Sequence, residues 1–272
     1  MSAVERAGGF FRNNGRDVDK AQFEYHFKGA PLERLLGVLG RYQQPDGGFG
    51  HGLEPDIAAP DSNPFATEIA LLICLQADVP RGHPLLADAV RYLEETQDEH
   101  GGWHFSPGIY QHRLAPWFTG WEWPNLNPAC TIGGLLRELG LGSNRLHEGI
   151  EGLFDRLAQP KDLLGTNYYA VRPYGWYFLP EWDHPRRELY ISGVLWWILR
   201  QHPQGVGLPF DLVRSPDTYT GRLLPESIVE EGLDAIERAQ AEDGGWPTEY
   251  APHWRGWATV QELLVLREFG RA

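Results

Sequence analysis

Methionine and cysteine are almost absent from this chain: there is one Met and there are two Cys in 272 residues. Basic side chains are also scarce, with 24 Lys and Arg against 37 Asp and Glu and a formal net charge of -13. Each shortage excludes something. A strongly acidic chain without a Lys/Arg cluster repels a phosphate backbone, so nucleic acid is not an expected partner. Anionic membrane surfaces are disfavoured on the same ground, and no apolar run reaches the length of a membrane span. Cys74 and Cys130 lie in apolar helical patterns with no ligand spacing, so they read as reduced core residues of a cytoplasmic protein. The first residues, MSAVERAGGFFRNN, carry no apolar signal core.

What the chain has in excess is tryptophan, 11 in all, and a motif written three times. QQPDGGF ends at Phe49, QDEHGGW at Trp103 and QAEDGGW at Trp246, each with glutamine six residues ahead of the aromatic. An amphipathic run precedes each copy: APLERLLGVLGRYQ, HPLLADAVRYLEETQ and PESIVEEGLDAIERAQ. Pro31, Pro84 and Pro225 suit the first turn of these helices, where a missing N–H costs nothing. After each copy comes a loop and then a more apolar helix, beginning NPFATEIALLICLQ, NPACTIGGLLREL and RGWATVQELLVLREF. Asn63 and Asn127 read as N-caps followed by proline, and Thr67, Thr131 and Thr259 fall in register. A decayed copy, NRLHEGIEGLFDRLAQ, ends at Gln159, and its partner helix is expected near His184-Pro185, continuing through RRELYISGVLWWILRQ. Further helical material is expected at 2–13 and 19–28.

These units are helix hairpins at about 30–77, 83–140, 144–201 and 225–270, and the absence of period-two alternation makes the class all-α. Hairpins of one polarity stack with inner helices parallel, giving a single-domain α/α toroid of four to six hairpins with its long loops at one end. In each motif the glycine pair allows positive φ and close helix approach, the glutamine amide binds nearby backbone, and the aromatic staples neighbouring helices.

Residues 92–103, YLEETQDEHGGW, carry a likeness. They match the aromatic-aliphatic-x3-Gln-spacer-Gly-x-Trp repeat, so the chain resembles the squalene-hopene and oxidosqualene cyclases and the wider terpenoid cyclase and protein prenyltransferase toroids. The resemblance implies the toroid and an apolar, isoprenoid-class ligand. The family's acid motifs are replaced here: the nearest string is DVDK at 17–20, and NPACTIGG has Ala129 where an acid would stand. Neither cysteine has the Asp-x-Cys setting of the prenyltransferase zinc site.

The loops concentrate rings, acids and histidines. From the residues, the candidate acids are Asp56 with Glu54 in LEPD, the preferred pair, and Asp183 with Glu181 in PEWD. Candidate ligand-binding residues are His51, His104, His112, Trp117, Trp121, Tyr174, Trp176, His253, Trp254 and Trp257. Ring faces steer carbocations, each contributing roughly 0.5–2 kcal/mol, if an acid is held protonated nearby. Arg113, Arg172 or Arg255 with inner-helix N-termini would suit a diphosphate. The same residues serve a sugar ligand, with tryptophan faces on pyranose rings and paired carboxylates for hydrolysis or lyase chemistry. Two plainer readings stand beside these: loops that pack on one another and plug the mouth, and a binding scaffold without catalysis. His51, Glu54, Asp56, His104 and His112 offer ligand atoms but no metal-site spacing, so no metal or other cofactor is expected.

Overall fold

Proline and asparagine set the helix starts much as their chemistry requires. Asn63 caps its helix by accepting the Ala66 amide at 2.9 Å, and Pro64 follows at the first helical position. Pro84 opens another helix directly, while Pro31 and Pro225 stand one residue before theirs. In the computed structural model, which describes residues 2–201, 209 and 211–272, the helices are α1 (Ala3–Asn13), α2 (Asp17–Lys28), α3 (Leu32–Leu39), α4 (Pro64–Gln76), α5 (Pro84–Thr96), α6 (Pro116–Thr119) and α7 (Leu126–Leu139), followed by α8 (Asn144–Leu157), α9 (Tyr168–Phe178), α10 (Arg187–Gln201), α11 (Tyr219–Leu223), α12 (Glu226–Ala239) and α13 (Arg255–Glu268). The fold is all-α. Among the described residues the only extended pairings are the isolated bridges Gln43–Phe49 and Ile57–Leu114.

The chain divides into two compact units, Leu39–Pro180 and Met1–Val38 with Glu181–Ala272. In the first, α7 packs between α4 and α9, with α5 against α4 and α8 against α7. α4 is buried from Pro64 to Cys74 and α7 from Leu126 to Leu136, whereas α5 and α8 bury one face. That contrast separates inner from outer helices. In the second unit α13 packs on α2, α1 and α12.

The three motif copies perform one task with the same atoms. Gln43 Nε2 donates to the Gly47 carbonyl and to the Leu85 carbonyl of α5, both at 2.9 Å. Gln97 does the same to Gly101 and to Leu146 of α8, at 3.2 and 3.0 Å. Gln240 reaches Gly244 at 2.8 Å and Ala3, the first residue of α1, at 2.9 Å. Each glutamine therefore ties its own turn to the start of the next outer helix. After the last copy, that helix is the first of the chain. The first glycine of each pair has positive φ (96°, 79° and 91°). A Cβ there would stand 2.3 Å from the Asp88 carbonyl oxygen, 1.9 Å from that of Gly149 and 2.0 Å from that of Arg6. Conformation and close approach both demand glycine.

The aromatics are anchored just as regularly. The Trp103 and Trp246 indole N–H groups donate to the Leu93 and Ile236 carbonyls of their own outer helices, at 3.0 and 2.8 Å. Thr67 and Thr259 accept the Phe49 and Trp246 amides at 3.1 and 3.0 Å, which explains the threonine register.

One sequence expectation is corrected. The stretch from 168, read as a loop, is the inner helix α9, and it packs closely on α7: a Cβ on Gly134 would meet the Trp176 carbonyl oxygen at 2.0 Å. The third hairpin is therefore α8–α9, and α10 is not its partner. Ring density and Pro173 inside the helix disguised α9 as a connector. Both cysteines are buried free thiols, and burial pushes Cys74 up to about 12 and Cys130 also upward, so neither is a nucleophile.

Candidate functional site

In the unit spanning Leu39–Pro180, the N-terminal turns of α4, α7 and α9 meet at one guanidinium. Arg172 of α9 donates to Glu68 of α4 at 2.5 Å, and to Asn127 and Thr131 of α7 at 3.4 and 3.3 Å. The N-terminal turns of these three helices therefore lie at one end of the unit. α7 is adapted to the contact: Asn127 is extended (φ -96°, ψ 125°) inside the helical run, directly before Pro128. Thr131, in register with the two threonines that accept an aromatic amide, faces Arg172. Glu68 and Arg172 are nearly buried, with side-chain exposures of 5 % and 11 %.

Two connectors join over that end. The Ala58 amide donates to the Arg113 carbonyl at 3.0 Å and the Ala115 amide to the Asp56 carbonyl at 2.9 Å, so the segment after the first motif pairs with the one after the second. Between them lies a small aromatic core of Ile57, Phe65, Phe105, Ile109 and Phe118, with Trp121 and Trp123 packed against it. Phe65 is central, its ring centroid 4.7 Å from Phe118, 5.1 Å from Trp121 and 5.9 Å from Phe105. The indole N–H groups of Trp121 and Trp123 are shut off from solvent and have no hydrogen-bond partner among the described residues. A buried indole N–H ordinarily finds an acceptor.

The preferred acid pair lies in the segment that leads into this core. Glu54 and Asp56 are buried on either side of Pro55, and Asp56 directly precedes Ile57. Glu54 Oε1 accepts the Asp56 amide at 3.1 Å, so one carboxylate shapes the loop that carries the other. His104 is held by Asp98 at 2.6 Å with its ring centroid 5.5 Å from that of Trp123. Trp117 is half exposed, His112 exposed, and His51 exposed with a positive φ of 52°. The structure thus places Glu54 and Asp56 on one of the two paired connectors and His104 and Trp121 on the other.

Tyr174 and Trp176 belong elsewhere. Both are fully buried in the packing of α9. Tyr174 donates to Asp162 at 2.6 Å and accepts the Gln159 amide at 3.0 Å, an anchoring role that leaves no face for a ligand.

The remaining candidates lie in the other unit. Glu181 and Asp183 are exposed, and Glu181 pairs with Arg222. His253 and Trp254 form a short 3-10 turn before α13, half-buried, while Trp257 is buried in α13 itself. Arg255 is tied to Asp243 by two hydrogen bonds of 2.8 Å and covers the Phe10 ring. That fixes the start of α13 and takes Arg255 away from a diphosphate role.

Two acids escaped the sequence reading, Glu68 and Glu262. Glu68 interrupts the apolar run of α4 one residue after Thr67, and Glu262 stands in α13 three residues after Thr259. A charge inside an apolar run was the available signal. No protein-family model matches the chain, and no curated protein matches it in sequence.

Proposed function

We propose that the chain binds an apolar, isoprenoid-class ligand at the aromatic layer over α4 and α7 and isomerises or cyclises it by acid catalysis. The observation that supports this reading is that two buried acids, Glu54 and Asp56, lie in the segment that carries Ile57 into a core containing Phe65, Phe118, Trp121 and Trp123. Buried acids beside ring faces are what protonation of an alkene and guidance of the cation require. The unpartnered indole N–H groups of Trp121 and Trp123 suit a ligand that carries an acceptor atom as well. The resemblance of the repeats to terpenoid cyclases points the same way, as analogy at the level of fold.

Incubation with farnesyl diphosphate, geranylgeranyl diphosphate or squalene, followed by organic extraction, tests the proposal. Turnover is expected in the parent chain and lost in Asp56→Asn, with thermal melting nearly unchanged. An Asp56→Asn chain that melts far lower makes the residue structural, and one that still turns over removes it from the chemistry. The half-exposed rings of Tyr110 and Trp117 favour a second reading, sugar binding. Quenching of tryptophan fluorescence by oligosaccharides, abolished in Trp117→Ala, would support that reading over the first.

A further inference from the structure

One face of α10 is buried through Tyr190, Ile191, Val194, Trp197 and Ile198. On the opposite face Leu189, Ser192, Trp196 and Leu199 are exposed. They stand at i, i+3, i+7 and i+10, the spacing of a coiled-coil seam. Trp196 keeps 44 % of its surface, whereas its neighbour Trp197 keeps 5 %. The apolar surface continues on α11. Tyr219 donates to Glu188 at 3.1 Å, which sets α11 beside the start of α10, and the exposed Leu223 lies one turn after Tyr219. Large apolar side chains grouped in this way mark a docking surface, unlike single ones scattered over a protein.

The order of residues along the stripe selects the occupant. Let two copies of α10 lie antiparallel about a twofold axis at the level of Val194. Leu189 of each copy then meets Leu199 of the other, and Trp196 meets Ser192, so the largest side chain of the seam lies on the smallest. Each end of the pair carries Glu188 from one copy and Arg200 from the other, which are opposite charges. The helix dipoles also oppose one another. A parallel pair fails on every count, with Trp196 on Trp196, a gap at Ser192, and like charges at both ends. Arg200 already covers the Trp196 ring at 4.0 Å, so the ring is held before any partner arrives.

We propose that α10 is a homodimer interface, in which two copies of the chain pair antiparallel through Leu189, Trp196 and Leu199, with Leu223 at the rim. The seam spans about three turns, so the association belongs to the weak, concentration-dependent class. It uses no residue of the aromatic layer and goes beyond the ligand reading.

Sedimentation velocity of the full chain tests the interface, from about 1 to about 300 µM in about 0.3 M NaCl, which screens the repulsion between acidic copies. The average mass is expected to rise toward twice that of one chain, and to stay at one chain in Trp196→Glu with unchanged melting. Leu199→Glu repeats the comparison should Trp196→Glu melt lower. Cysteine variants then read the register. A mixture of Leu189→Cys and Leu199→Cys chains is expected to form a disulfide-linked dimer under mild oxidation. Neither variant alone is expected to do so, because its own cysteines would stand about 15 Å apart along the seam. Cys74 and Cys130 are buried and do not compete. A parent chain that stays monomeric throughout overturns the proposal and leaves the stripe to a different partner. Association that persists in both glutamate variants overturns it as well, as do single cysteine variants that cross-link as readily as the mixture.

Discussion

At the scale of single residues, the motif glycines are fixed twice over, by positive φ and by the carbonyl of the next outer helix. Gly101→Ala would place a Cβ 1.9 Å from the Gly149 oxygen, in backbone that cannot yield as a side-chain tip can. Its denaturant midpoint is expected to fall by the equivalent of about 3 kcal/mol or more. Gly52→Ala is the control: φ is also positive at 72°, but nothing lies within 4 Å, so about 1 kcal/mol is expected. Equal losses in the two variants would remove the close approach from the explanation. His26 offers a pH test. Burial, and secondarily Arg267, lower it from 6.5 to about 4. Arg267 donates to its Nδ1 at 3.3 Å, which requires the neutral ring. The fold thus prefers the uncharged form, and this contribution is intact above 6.5 and disappears as pH falls toward 4. Up to about 3 kcal/mol is at stake. Melting curves of His26→Gln are expected to flatten over that window, and a parallel slope in both chains would exclude the residue.

At the scale of elements, period and punctuation made most hairpins readable. α5, α8 and α12 follow from amphipathic spacing and α4 from Asn63-Pro64. α9 was not readable, because YYAVRPYGWYF is buried nearly all round and carries a proline, so neither period nor breaker marks it as a helix. The acids Glu54 and Asp56 were visible as a loop pair, but the bond from the Ala115 amide to the Asp56 carbonyl joins two connectors far apart in sequence, and no local signal encodes that. Arg172 was visible only as one arginine among several. Its meeting with Glu68 and Thr131 joins three helices far apart in sequence. Removing one member of such a nearly buried pair strands the other, so Arg172→Met is expected to cost about 3–5 kcal/mol. The double variant Glu68→Met/Arg172→Met is expected to cost less than Arg172→Met alone. Additive losses in a double-mutant cycle would mean that the pair is not coupled.

For the whole molecule, the bond from Gln240 to Ala3 has the widest consequence. The last motif treats α1 as its next outer helix, so both ends of the chain contribute to one unit and the order of hairpins in space continues past the C-terminus. Gln240→Ala is expected to destabilise α1 and α13 together by about 1–3 kcal/mol, read as lost amide protection in both helices under native-state hydrogen exchange. Loss confined to α13 would show that the bond holds nothing at α1. No described helix is long and apolar enough to cross a membrane. The net charge of -13 sets the expectation for partners at large, a neutral small molecule in preference to a polyanion. Native mass spectrometry of the freshly purified chain, before and after incubation with squalene, examines the acid-edged aromatic layer most directly. The expected result is a bound apolar species, reduced when Trp121 and Trp123 are both replaced by alanine in a chain of unchanged melting temperature. The bare mass in every condition, or an oligosaccharide in place of a lipid, would contradict it.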